Sequence, residues 1–353
     1  MVRDRRGMTG QLCAFALTVA VVLLLFTAPA FALGRWVTGD SHTHTTQSDG
    51  RHTLPEVLYQ AFGIWGLDWI ASTDHGYEMD ANVLGEKYTA DTVGNGSGDI
   101  WFWDASLDNW KYFDAQRAEW PGKVLFQGYE WGVPGREESK TVFMADQTRA
   151  TAPTYETGLF VSDFEYLFDT WDSSIGQTRT LGGYPSFADP AQWGTTETRT
   201  GLVKDPELYD KAPWGIAAAE YLRDVRSGAQ PSGQSDCYSI LSHPSRSLAW
   251  SVGDIRRFND TDPDVFIGMC GIPGAQRNDG LRSWYRKTWY RDDGTVDEAK
   301  TALARTYGGA DLMTAKVGGV WDALLAEGRS YWIFSDSDFH SALIWDFWPG
   351  QYS

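Results

Sequence analysis

Short apolar runs alternate along the chain with segments whose apolar residues recur at helical spacing. Pro55 to Trp65 is predicted as a helix, with proline in the first turn where its missing N–H is no loss. Leu67–Ser72 reads as a buried strand ending at Thr73-Asp74-His75. Residues 77–103 form an insertion punctuated by Gly94, Gly96 and Gly98, and a helix follows from Leu107 to Trp120. Lys123–Gly128 is a strand ending at Tyr129-Glu130, and Thr141–Ala145 is a further strand. Residues 146–210 are mostly loop, with a helix near Asp163–Asp169. Trp214–Val225 is helical, Tyr238–Ser242 is a strand ending at His243, and Val265–Cys270 is another strand. Asp297–Tyr307 and Val320–Glu327 are helices, and the last strand, Tyr331–Ser335, runs out toward Asp338 and His340.

Strands alternating with helices imply an α/β architecture with parallel pairing through crossovers. Periodicity alone fits a closed barrel and an open sheet equally. Polar residues with metal-binding chemistry stand repeatedly just beyond a strand, where α/β barrels carry their active sites. The same strand assignment separates Cys237, at the start of one strand, from Cys270, at the end of the next. Two such positions lie beyond the ~7 Å Cα limit of a disulfide, so both are expected to be free, buried thiols.

The 353 residues are 42% hydrophobic and 22% charged, as in globular proteins, and no linker or repeat divides them. The N-terminus reads as a targeting segment. Arg3, Arg5 and Arg6 precede an apolar run from Leu12 to Phe26, and Ala30-Phe31-Ala32 is a cleavage pattern. A signal peptide over 1–32 and one domain over 33–353 are therefore expected, with the protein exported to the periplasm, the cell surface or the medium. Left uncleaved, the apolar segment would anchor the chain in a membrane, which is the one membrane contact foreseen.

The net charge is −17; losing Arg3, Arg5, Arg6 and Asp4 takes Lys+Arg from 30 to 27 and Asp+Glu from 47 to 46, hence −19. Such a surface repels phosphate backbones and argues against a nucleic-acid polymer as partner. A small phosphorylated substrate stays compatible if metal ions invert the field inside the site. The 18 tryptophans are read first as core; ring stacking by Trp65, Trp101, Trp103 and Trp131 around a site is the alternative.

Of the six histidines, His42, His44, His75, His243 and His340 fall just after predicted strands, and His52 does not. In His42-Thr43-His44 the two imidazoles share a face of an extended chain, so both can reach one ion. Glu130 and Asp338 add carboxylates, and imidazole with carboxylate suits Zn, Mn or Fe.

Gly39-Asp40-Ser41-His42-Thr43-His44, Ser48-Asp49-Gly50 and Thr73-Asp74-His75-Gly76 together resemble the opening of the polymerase-and-histidinol-phosphatase (PHP) family. Gly128-Tyr129-Glu130-Trp131 is similar to its acidic motif, Ser242-His243-Pro244-Ser245-Arg246 to its later histidine motif, and Ser337-Asp338-Phe339-His340 to its closing motif. The resemblance implies a distorted (β/α)7 barrel with two or three divalent metal ions. It assigns His42, His44, Glu130 and Asp338 to one metal, Glu130 and His243 to a second, and Asp49, His75 and His340 to a third. It implies that Asp40 and Asp74 orient imidazoles, and that Arg246 either grips a substrate anion or sits in a salt bridge. One departure stands out: Arg136-Glu137-Glu138-Ser139-Lys140-Thr141 has no histidine where relatives carry a ligand, so the second metal is expected to be weakly held, unless Glu137 or Glu138 substitutes. The implied activity is a metal-dependent phosphoesterase, using a metal-bridging hydroxide on a small phosphate ester. The alternatives are hydrolysis of an amide or other ester, and a degenerate barrel that binds a ligand without turnover.

Overall fold

Capping and turn signals in the sequence are realised in the local structure. In the computed structural model, residues 34–91, 93–143, 155–171, 211–229, 235–274, 288–303, 305–307 and 309–341 are described. The expected leader with its cleavage pattern lies outside them. Thr38 onward forms one compact unit. Helix α1 (Leu54–Leu58) starts with Pro55 in its first turn and with the Glu56 carboxylate accepting the Thr53 N–H at 2.8 Å. It continues as a π-helical stretch, Tyr59–Ile64.

The sheet is built from β1 (Gly39–Asp40), β2 (Trp69–Ser72), β5 (Val124–Gly132), β6 (Glu138–Phe143), β7 (Cys237–Leu241), β8 (Phe266–Pro273) and β9 (Trp332–Asp336), side by side in that order. A separate antiparallel pair, β3 (Glu78–Met79) and β4 (Ile100–Trp101), lies in the glycine-punctuated insertion. Between parallel neighbours runs a helix each time: α1 from β1 to β2, α2 (Phe102–Glu119) before β5, α5 (Val252–Thr261) from β7 to β8, and α6 (Glu298–Leu303), α7 (Leu312–Ala315) and α8 (Val320–Ala326) from β8 to β9. Helices α3 (Tyr155–Phe168) and α4 (Ala212–Ser227) lie between β6 and β7.

The first and last strands are drawn together by the bridge Thr43–Phe339, with the His44 N–H on the Phe339 carbonyl at 2.8 Å. The result is an α/β unit around a nearly closed, barrel-like sheet of seven strands. The expectation of parallel pairing throughout needs correction, because β6 is antiparallel to both β5 and β7. Its cause is local: only residues 133–137 separate β5 from β6, and Gly135 turns there at φ 67. So short a link makes a hairpin; a parallel crossover needs a dozen residues or more.

Strand alternation divides the roles on β5. Glu130 faces the barrel interior, while Tyr129 and Trp131 pack outward among Phe164, Phe168, Trp214, Tyr221 and Phe258 in the larger core. Trp131 and Trp214 satisfy their indole N–H groups on the Phe168 and Leu167 carbonyls, at 2.9 and 2.7 Å. Trp101, Trp103 and Trp131 are core residues, and Trp65 caps the π-helical stretch, so this set of four is not a stacking surface at the site. Cys237 and Cys270 are both buried and free.

Candidate metal centre

Nine side chains carried on β1, β2, β5, β6, β7 and β9, or on the segments that follow them, meet at one mouth of the sheet. His42 and His44 follow β1, and their Nε2 atoms approach to 3.0 Å. Both nitrogens face the Glu130 carboxylate, at 2.9 and 3.3 Å, and Asp338 Oδ1, at 3.5 and 3.3 Å. These four side chains are buried and form one ligand group.

A second group joins Glu130 to His243 and Glu138, with His243 Nε2 at 3.3 Å from Glu130 and 3.1 Å from Glu138. The third joins His44 to Asp49, His75 and His340; His340 Nε2 lies 3.0 Å from Asp49 Oδ2. Neighbouring groups thus share Glu130 or His44. Within each, the ligand atoms all lie within 4.8 Å of one another. Ligands at ~2.0–2.2 Å on opposite sides of an ion are about 4.4 Å apart, so small rotations close each group.

The fit is tested by atoms left without other partners. Both Asp338 oxygens and Glu130 Oε1 are buried and make no hydrogen bond. Buried polar atoms are nearly always partnered, and a cation between them supplies what is missing here. The backbone is also bent toward the site. His243 and Asp338 hold φ of 26 and 49, a left-handed region that costs a non-glycine residue roughly 1–3 kcal/mol and clusters at functional sites.

The electrostatics ask for positive charge. Burial disfavours protonated His42, yet Glu130 and Asp338 outweigh it and hold its imidazole up at about 9. His44 is likewise held well above its ordinary value by Asp338, Glu130 and Asp49, against burial. Glu130 and Asp338 stay well below the usual carboxylate range despite burial, because the imidazoles face them. His75 is pushed down to about 3, chiefly by burial, and His243 is lowered by burial and Arg246; both imidazoles are neutral donors.

The second group, for which the sequence offered no further histidine, takes Glu138 as its third member and remains the smallest of the three. Arg246 fixes that carboxylate: the guanidinium bonds to Glu138 and, through Nε at 3.1 Å and Nη2, to Glu137. Asp40 and Asp74 hold backbone and hydroxyls rather than imidazoles. Asp40 accepts the N–H of His42 and of Ser337, at 3.1 and 3.2 Å. Asp74 accepts the N–H and hydroxyl of Thr45 and the hydroxyl of Ser48, at 2.6, 2.8 and 2.6 Å, tying down the loop that carries Asp49.

Beneath His42, the fully buried Lys140 pairs with Asp336, a contact that sequence reading missed. Asp336 Oδ1 also accepts the Cys270 thiol at 3.2 Å and lies 3.8 Å from His42 Nδ1. His52 stands apart, 3.7 Å from Glu56 and stacked on Phe339. Compared with known proteins, the chain matches no family model and no curated protein.

Proposed function

We propose that this chain is an exported metal-dependent phosphoesterase of the PHP type, acting on a small phosphate ester with two or three Zn, Mn or Fe ions in a distorted (β/α)7 barrel. The observation that carries the proposal is the continuity of the ligand groups: Glu130 and His44 each belong to two of them, so ions held there would be neighbours. Closely spaced divalent ions supply Lewis acidity and bring the pKa of water near 7, which is the chemistry in-line phosphoryl hydrolysis needs.

The chain's own residues set the stage for it. The pair Lys140–Asp336 braces the floor under His42. Arg246 is engaged by Glu137 and Glu138, and its part is to hold Glu138 toward His243. Asp49, with a side chain 46% exposed, and His75 face the solvent side, where a phosphoryl group would arrive. An interior of carboxylates admits an anion when cations neutralise it, so substrate binding and metal binding are coupled.

The test is a panel of phosphomonoesters, phosphodiesters, carboxylic esters and amides, offered to protein loaded in turn with Zn, Mn and Fe(II). Metal-dependent phosphate release from monoesters or diesters is expected. Cleavage confined to amides or carboxylic esters, or no turnover with any metal, contradicts the proposal.

A further inference from the structure

The ligands differ in their access to solvent. Side chains of His42, His44, Glu130, His243 and Asp338 are 2% exposed or less, against 13% for His75 and 46% for Asp49. A ligand therefore meets the His75 side of the centre first. Two aromatic rings stand there. Tyr77 stacks on the His75 ring at 5.9 Å with the planes 28° apart, and the Trp171 ring lies 5.0 Å from His75 at 59°. Tyr77 and Trp171 are 6.5 Å apart at 55°, so the rings make a corner rather than a parallel slot.

Trp171 is no core residue: 40% of it is exposed, in contrast to the buried Trp101, Trp103 and Trp131. Its position is nevertheless fixed. The buried Asp169 takes the Gly132 N–H at 3.1 Å and the Trp171 N–H at 2.7 Å, and the Thr170 N–H reaches the Gly132 carbonyl at 3.0 Å. A Cβ on Gly132 would fall 2.8 Å from the Thr170 hydroxyl and 3.4 Å from the indole, so glycine permits this close approach. Gly132 ends the strand that carries Glu130. The indole is thus pinned to the ligand-bearing strand with part of its surface left open to solvent.

We propose that Trp171 and Tyr77 form the subsite for the organic part of the substrate, and that this part is a planar aromatic ring without negative charge, joined directly to the group being hydrolysed. The inference rests on the phosphoesterase reading for the reacting group alone. An aromatic face rewards a ring packed on it, offset or edge-on, at centroid distances of about 4.5–7 Å. The half-exposed Asp49 at the mouth and the net charge of −17 select against a ring that bears a carboxylate.

The test is calorimetric titration of the metal-loaded protein with phenylphosphonate and butylphosphonate, which keep the anionic head and resist ester hydrolysis. Phenylphosphonate is expected to bind about five- to tenfold more tightly, the range an aromatic contact supplies. Trp171→Ala should bring the phenyl-to-butyl ratio close to one, Trp171→Phe should restore most of it, and 4-carboxyphenylphosphonate should bind more weakly than phenylphosphonate. A wild-type ratio near one, absence of binding by both phosphonates, or an unchanged ratio in Trp171→Ala overturns the subsite. A Trp171-dependent preference for the ring in a protein that cleaves no phosphoester supports the subsite and refutes the phosphoesterase reading.

Discussion

The His42–His44–Glu130–Asp338 group and the His44–Asp49–His75–His340 group share an imidazole yet meet their surroundings differently. The first is enclosed on all its members, backed by the buried Lys140–Asp336 pair, and held partly by a residue with left-handed backbone. The second includes a carboxylate 46% exposed and lies beside the open aromatic corner. On the proposed reading, an ion in the enclosed group would exchange slowly and organise the site, whereas one in the open group would exchange more readily and lie nearer to solvent. Burial, the number of shared ligands and the balance of carboxylate to imidazole separate the two.

The largest effect is expected at the shared carboxylate. Glu130→Gln removes a charged ligand from two groups at once. The loss of activity and of metal affinity should exceed the roughly 10–100-fold cost of removing an outer partner of a metal ligand. Measured metal affinity within threefold of wild type would show that Glu130 is not a ligand.

Next comes the floor of the enclosed group. Lys140→Met leaves Asp336 buried without its cation, and breaking such a pair costs about 3–5 kcal/mol. Urea unfolding should report that loss; a change below about 1 kcal/mol would mean that Asp336 draws its compensation from elsewhere.

Asp49→Asn acts on the open group alone. One ion per chain should be lost while the ions of the other two groups are retained, because Asp49 belongs to the open group only. Loss of every ion would erase the distinction between the groups.

The most graded effect concerns pH. His42, held at about 9, must shed a proton to bind an ion, and His75, at about 3, has none to shed. Affinity of the enclosed group should therefore weaken as pH falls from 9 to 7, by about tenfold per pH unit for each proton displaced. A pH-independent affinity over that interval would contradict the ligand role of His42.

Five of the six histidines and Glu130 were legible in the sequence because each falls just after a strand as read from the sequence, and such positions gather at one mouth of a barrel-like sheet. Glu138 was less legible, for its role depends on register. Pairing of β6 with β7 puts Ser139 opposite Leu241 and the Ser242 N–H on the Glu138 carbonyl, which brings Glu138 beside His243. Pro134-Gly135 was the available signal, since such dipeptides mark turns and a turn there makes β6 antiparallel. Helix α5 was missed although Ser251 and Asp254 form its capping box. Lys140 shares one face of β6 with Glu138 and Val142 while Ser139 and Thr141 lie on the other, and this polar run is indistinguishable by periodicity from a solvated strand. Trp171 gave no local signal at all; its place beside His75 follows from the lacing of Asp169 and Thr170 onto Gly132.

The central claim, that these side chains form a metal centre, is tested most directly by elemental analysis of the purified protein beside His42→Ala and His52→Ala. At least two divalent ions per chain are expected in the parent protein, with a marked loss in His42→Ala and full retention in His52→Ala, whose side chain lies outside all three ligand groups. A parent protein that binds no divalent metal when it is offered, or two variants that lose metal alike, would contradict it.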